Sequence, residues 1–183
     1  MQERVHQVDW ANHHPVDRAV LCFIRVDNSL LLIHKKRGLG KGKINAPGGR
    51  LEPGETPFAA AVRETEEEVG LTPSGLAHAG ELSFIFTDGY SLSCSVITAE
   101  GYTGNPIETD EAVPFWCGES ELPYHRMWTD DRLWIPLLLD EIPFRGFFIF
   151  RDDQMLDHLL RTGTEAALSR LDLAPLANQE TTF

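Results

Sequence analysis

Apolar residues fall in short runs separated by turn chemistry, and the period of the runs changes along the chain. Residues 19–26 are apolar and rich in β-branched side chains. Asp27-Asn28-Ser29 supplies a turn and residues 30–34 are apolar again, which predicts a β-hairpin. Residues 80–86 and 91–98 flank Thr87-Asp88-Gly89-Tyr90 and predict a second hairpin. Residues 113–117 and the strongly apolar stretch 144–150 are further strand candidates. Helix signals surround residues 57–69. Thr56 is a good N-cap, Pro57 suits the first helical position, Ala59, Ala60 and Ala61 favour helix, and Gly70 stops it at C′. Residues 132–139, containing Trp134 and Pro136, predict a short helix, with Trp134 assigned to the core. Residues 153–161 have helical periodicity through Met155, Leu156, Leu159 and Leu160, and residues 165–171 suit one more short helix. Residues 1–16 are polar and read as a flexible N-terminal arm, so that His6, His13 and His14 are exposed tail residues. The expected organisation is an arm at 1–16, one domain at 17–162 and a C-terminal extension at 163–183. Strands with a central and a late helix place the chain in the α/β class, with a mixed sheet between helices.

A length of 183 residues suits one domain with extensions and suffices for a proper core. The net charge of −12 argues against a nucleic-acid polymer as partner, because such binding is driven by basic patches. A small phosphorylated molecule remains open, provided a metal neutralises the repulsion. Cys22, Cys94 and Cys117 sit in apolar stretches, odd in number and without close pairing, which suggests reduced, buried thiols in a cytoplasmic protein. No apolar run is long enough to span a bilayer and no signal-peptide pattern is visible, so no membrane partner is expected.

The chemistry concentrates in residues 49–71, GRLEPGETPFAAAVRETEEEVGL. Glu64, Glu67 and Glu68 stand at i, i+3 and i+4 and share one helical face. Three like charges there are a solvated acidic face or, with a hard divalent cation, a site. Arg63 beside them is a natural charge partner for a carboxylate. Upstream, residues 35–43 (KKRGLGKGK) form a basic, glycine-rich loop, which is a flexible solvated loop or a positive rim that draws in a polyphosphate. Asn45 is turn-prone, and its amide offers both a donor and an acceptor to a base edge if it faces a pocket. Pro47-Gly48-Gly49 allows close backbone approach to a ligand or to the helix. Downstream, Glu108-Thr109-Asp110-Glu111 reads on charge alone as a solvated loop. Trp128 has a flat face for stacking on a purine. Asp130 and Asp131 are adjacent acids that either cap the following helix or, in a buried pocket, raise each other's pKa.

Written as Gly49-x5-Glu55-x7-Arg63-Glu64-Thr65-x-Glu67-Glu68-x-Gly70-Leu71, the central stretch resembles the Nudix box. Every charged and glycine position matches. The one departure is Thr65, where the family carries a bulky aliphatic residue. The resemblance implies the Nudix α/β/α sandwich and hydrolysis of a nucleoside diphosphate linked to another moiety. It implies that Glu64, Glu67 and Glu68 ligate Mg2+ (or Mn2+), with Gly48 and Glu111 as further metal contacts. It also implies that Arg63 and Glu55 brace the loop–helix–loop. Residues 35–38 with Lys35, Asn45 and Gly48-Gly49, together with Met127-Trp128-x-Asp130-Asp131-x-x-Trp134-x-Pro136-Leu137-Leu138-Leu139, resemble the MutT-like oxidised-purine nucleoside triphosphatases. That branch cleaves 8-oxo-dGTP and 2-hydroxy-dATP to the monophosphate and pyrophosphate. On this resemblance Lys35, Asn45, Trp128, Asp130 and Asp131 bind the nucleotide. Alternatives are a Nudix hydrolase of ADP-ribose or a methylated purine nucleotide, and a non-catalytic nucleotide sensor. Which glutamate takes the proton stays open, as does the choice between monomer and homodimer.

Overall fold

The computed structural model describes residues 4–163. Eleven regular elements follow one another: β1 Asp17–Val26, β2 Ser29–Lys35, β3 Ile44–Asn45, β4 Gly48–Arg50, α1 Pro57–Val69, β5 Leu71–Phe86, β6 Ser91–Gly104, β7 Ala112–Gly118, α2 Asp131–Leu139, β8 Phe144–Arg151 and β9 Gln154–Thr162. The strands join in one mixed sheet of order β3-β2-β1-β6-β5-β8-β9, with β4 on β1 and β7 on β2. The β1–β6 and β5–β8 pairs are parallel and the rest antiparallel. The first hairpin turns at Asp27 and Asn28, both at positive φ, which these short polar side chains tolerate.

The helices lie on opposite sides. Val20, Cys22 and Ile24 of β1 pack with Ala60, Ala61 and Val69 of α1. Phe23, next in the alternation, packs with Trp134 and Ile135 of α2 and with Phe144 and Phe148 of β8. A strand covered on both faces reads as a continuous apolar run, which is how residues 19–26 look in the sequence. Burial of each such large side chain contributes about 1.5–3 kcal/mol. The layers therefore form an α/β/α sandwich around a mixed sheet. Thr56 Oγ1 accepts from the Ala59 N–H and Gly70 takes the left-handed C-cap, so α1 starts and stops at its local signals. Thr65 is fully buried and donates to the Ala61 carbonyl, so a polar residue fits where an aliphatic one is usual.

Two sequence expectations are corrected. Residues 153–161 are not a helix, because β8 offers an open edge and β9 fills it antiparallel from Phe144↔Thr162 to Arg151↔Gln154. A register shift near Ile149/Phe150 leaves Leu156 unpaired. It lets Met155 and Leu160 face the α2-side core while Leu156 and Leu159 face the other cluster. The apolar doublets that mimic a helix thus serve two faces of a strand. The N-terminal arm is not loose from residue 5 onward. Val5, Val8 and Trp10 are buried against Phe147 and Ile149, and Trp10 Nε1 donates to the Val5 carbonyl. His13 lies edge-on to Trp10, and burial lowers its pKa. The short helix expected at 165–171 lies outside the described residues.

Among the described residues no helix is long and apolar enough to cross a membrane. Cys22 and Cys94 are buried free thiols and Cys117 is half-buried; burial pushes Cys22 up to about 11.

Candidate active site

A cavity of about 490 Å³ opens between the two helices' ends of the sheet. One end is acidic. The N-terminal caps aim α1 so that Glu68 points inward and is almost fully buried. Its Oε2 accepts from the Gly48 N–H at 2.9 Å and its Oε1 from Lys35 Nζ at 3.2 Å. Desolvation raises the Glu68 pKa, and Lys35 and the Gly48 N–H pull it back. Glu64 is also raised by burial, opposed by its bond from Arg63 Nη1 at 2.8 Å. Glu67 is exposed and accepts from the same Arg63 nitrogen at 3.1 Å.

Arg63 is the hub of this end. Its Nε and Nη2 each lie 2.8 Å from Glu55, and Nη2 also donates to the Arg50 carbonyl. The fork on Glu55 lowers that carboxyl to about 2, with help from the Glu52 N–H. Gly49 has no room for a side chain, since a Cβ there would stand 2.4 Å from the Glu64 carboxylate. Gly48 has none either, because its Cβ would stand 2.1 Å from the Val20 carbonyl oxygen. Gly48 is thus seen orienting Glu68 through its N–H.

The basic loop is tied down by acids. Besides Lys35 on Glu68, Lys36 reaches Glu108, Arg37 Nη2 lies 2.6 Å from Glu111, and Lys43 lies 2.9 Å from Asp153. Glu111 lines the rim of the cavity but its carboxylate is half-exposed and held by Arg37. Among the described residues, no three acidic, histidine or cysteine side chains are gathered closely enough to hold an ion as they stand. Lys35 and Arg63 engage carboxylate oxygens of Glu68, Glu64 and Glu67.

The other end is apolar with acids at its floor. Phe84, Phe86 and Leu82 of β5, Phe150 of β8 and Trp128 form the walls. Trp128 stands edge-on to Phe150, with centroids 5.5 Å apart, and carries Lys43 Nζ over its ring at 4.8 Å. Asp130 and Asp131 are nearly fully buried here. Asp130 does not cap α2 with its side chain; its Oδ2 accepts from Trp134 Nε1 at 2.9 Å, while Oδ1 has no hydrogen-bond partner among the described residues. Asp131 Oδ2 accepts from the Trp128 N–H at 3.0 Å. Desolvation raises both carboxyls, Asp130 to about 6 and Asp131 well above the ordinary range, the latter also by repulsion from Asp130. Trp134 is fully buried and packs on Phe144, so it is core. Asn45 lines the cavity, with its Oδ1 accepting from the Ala46 N–H.

The fold therefore brings Lys35, Asn45, Glu64, Glu68, Glu111, Trp128, Asp130 and Asp131 to one cavity, with Arg63, Glu55 and Glu67 behind or beside its acidic end. Sequence reasoning missed Arg50, Tyr90 and the aromatic walls. The even-numbered alternation Leu82, Phe84, Phe86 marks those walls, whereas nothing local marks Arg50 or Tyr90.

A NUDIX domain profile matches residues 15–138. An oxidized purine nucleoside triphosphate hydrolase of Danio rerio is 41% identical over 133 residues, covering 72% of this chain and 85% of that protein. Its namesake from Mus musculus is 39% identical over 134 residues, covering 72% and 86%. A crystal structure of a MutT protein from Bacillus halodurans superposes with a TM-score of 0.72 at 25% identity, covering 79% of this chain and 97% of that one. The box residues on α1, the sandwich around it and a profile match over most of the chain agree, and the chain belongs to the Nudix family of hydrolases.

Proposed function

We propose that the chain is a Mg2+-dependent pyrophosphohydrolase of oxidised purine nucleoside triphosphates, 8-oxo-dGTP and 2-hydroxy-dATP among them, with Mn2+ able to replace Mg2+. The observation that carries this reading is a cavity with an aromatic, acid-floored chamber at one end and the carboxylate face of α1 at the other. The similarity to relatives named for that activity supports it.

In this reading Trp128 stacks on the base, worth about 1–3 kcal/mol. Desolvation and mutual repulsion keep a proton on the Asp130–Asp131 pair near neutral pH. The pair then offers the purine edge both a donor and an acceptor, and the unpaired Asp130 Oδ1 gains the partner that a buried oxygen requires. The free amide N–H groups of Asn45 complete the edge.

At the other end the donor set suits a hard divalent cation. It is all oxygen, it includes two desolvated carboxylates, and it is already balanced by Lys35 and Arg63. Glu64, Glu67 and Glu68 would hold the ion, with Glu111 and the Gly48 backbone as further contacts. When bound, it offsets phosphate charge and makes a water more acidic. Arg63, locked by Glu55, keeps α1 and the Arg50 segment in fixed relation. Lys35 faces the phosphates. Water attacks one phosphorus of the α–β linkage in line, the bond from that phosphorus to the bridging oxygen breaks, a glutamate takes the water's proton, and the monophosphate and pyrophosphate leave. Such a substrate places the protein's work in the cytoplasmic nucleotide pool.

The test is kcat/KM for oxidised, methylated and normal nucleoside triphosphates and ADP-ribose with Mg2+, with product analysis. An oxidised purine nucleotide should lead, with pyrophosphate released. Orthophosphate without pyrophosphate overturns the bond assignment. A better ADP-ribose or methylated substrate overturns the specificity. Tight binding with no turnover makes the chain a sensor.

A further inference from the structure

Between the two ends of the cavity runs a wall whose members touch in sequence. Trp128 lies 6.3 Å from Phe86 by ring centroids, and Phe86 lies 5.7 Å from Tyr90. The Tyr90 hydroxyl donates to Asp17 Oδ2 at 2.9 Å. Arg50 Nε meets the same carboxylate oxygen at 2.9 Å. Arg50 follows Gly49, where an added Cβ would meet the Glu64 carboxylate. Tyr90 and Arg50 line the cavity. They come from distant parts of the chain, the β5–β6 turn and the end of β4, and Asp17 at the start of β1 joins them.

A nucleoside triphosphate with its base on Trp128 and its phosphates at α1 lays its sugar along this wall. Tyr90 stands on this wall between Phe86 and Asp17. Its only hydroxyl proton is committed to Asp17, and Arg50 stands against the same phenol oxygen. With its proton on Asp17 the phenol can only accept from a ligand, so a ligand group that meets it is a donor. The donor that a nucleoside sugar presents in both its ribo and deoxy forms is the 3′-hydroxyl.

Resting on the oxidised-purine triphosphate reading above, we infer that Tyr90 is the sugar contact, accepting a hydrogen bond from the nucleotide 3′-hydroxyl. Asp17 is the positioning residue that fixes both the phenol proton and the Arg50 guanidinium. The competing account is that the three residues only tie the β5–β6 turn to β1 and β4. A tie of that kind affects folding stability and is blind to the sugar.

The experiment measures kcat and KM for 8-oxo-dGTP and its 2′,3′-dideoxy analogue, with the Tm of each protein, for the wild type, Tyr90→Phe and Asp17→Asn. The wild type should favour the 3′-hydroxyl by roughly 3- to 10-fold in kcat/KM, the size of one net hydrogen bond. Tyr90→Phe should bring the ratio to about 1, mainly through KM for 8-oxo-dGTP, because the contact exists in ground and transition states alike. Asp17→Asn should shrink the ratio as well. A dideoxy penalty that persists in Tyr90→Phe overturns the inference, as does a wild type that cleaves both nucleotides equally well. A wild type that cleaves neither while cleaving another nucleotide overturns the substrate reading itself, and the inference falls with it.

Discussion

Replacing Gly49 by alanine separates the fold from the chemistry. The added Cβ would stand 2.4 Å from the Cδ and both oxygens of Glu64. Carbon contacts settle near 3.5 Å, so the carboxylate must retreat by about 1 Å. What yields is the far end of a flexible side chain, so β4 and α1 can keep their places. The move pulls Glu64 from its 2.8 Å bond with Arg63 and from its alignment with Glu68. A misplacement of that size at a reacting centre costs on the order of 100-fold in rate. Gly48 is the control. Its added Cβ would meet the Val20 carbonyl oxygen at 2.1 Å, and neither backbone can move without breaking the β1–β4 pairing. The expected results are a kcat for 8-oxo-dGTP about 100-fold lower in Gly49→Ala with Tm nearly unchanged, and a clear loss of Tm in Gly48→Ala. The measurements are steady-state kinetics in saturating Mg2+ and thermal unfolding of the metal-free proteins. If Gly49→Ala keeps kcat within a few-fold of wild type, the position of Glu64 does not govern the reaction. If it unfolds as readily as Gly48→Ala, the clash is not absorbed by the side chain.

Glu67→Gln should abolish turnover while leaving metal-free Tm within a degree or two, because its pair with Arg63 is largely solvent-exposed; a matching loss of Tm would make the residue structural. Trp128→Ala should raise KM with kcat little changed, for a loss of roughly 5- to 150-fold in kcat/KM; a uniform loss of kcat at constant KM would show that the indole is not a base platform. Asp131→Asn tests the buried acids. A carboxyl whose folded pKa is raised stabilises the fold below its unfolded pKa and loses that contribution as pH rises through the folded value. The variant should therefore gain Tm over wild type at pH 8 and lose the advantage toward pH 4, and its ranking of oxidised against normal purines, with the pH dependence of that ranking, should change more than its overall rate. A Tm difference that is flat from pH 4 to 8 would show that the pair carries no shifted proton.

Much of the acidic end was legible in the chain itself, because its determinants are local. A Thr56 cap, a Pro57 start, a Gly70 stop and carboxylates at i, i+3 and i+4 are set by the geometry of one helix, and α1 runs between those signals. The two early hairpins were legible for the same reason, each having its turn chemistry between its strands. The apolar, acid-floored end was legible only in part. Adjacent acids at 130 and 131 suit a helix cap as well as a pocket, and what decided between them was the indole of Trp134, which takes one oxygen of Asp130 and leaves the other bare. Residues 153–161 show the limit most clearly. Their apolar doublets fit a helix, and only the open edge of β8 made them a strand. The N-terminal arm likewise became ordered because the sheet left Phe147 and Ile149 to be covered. Tyr90, Asp17 and Arg50 carried no mark in the sequence at all. Helix caps and turns are decided by neighbours in the chain, whereas sheet edges, uncovered faces and the partners of a buried carboxylate are decided by residues that only the folded chain brings within reach.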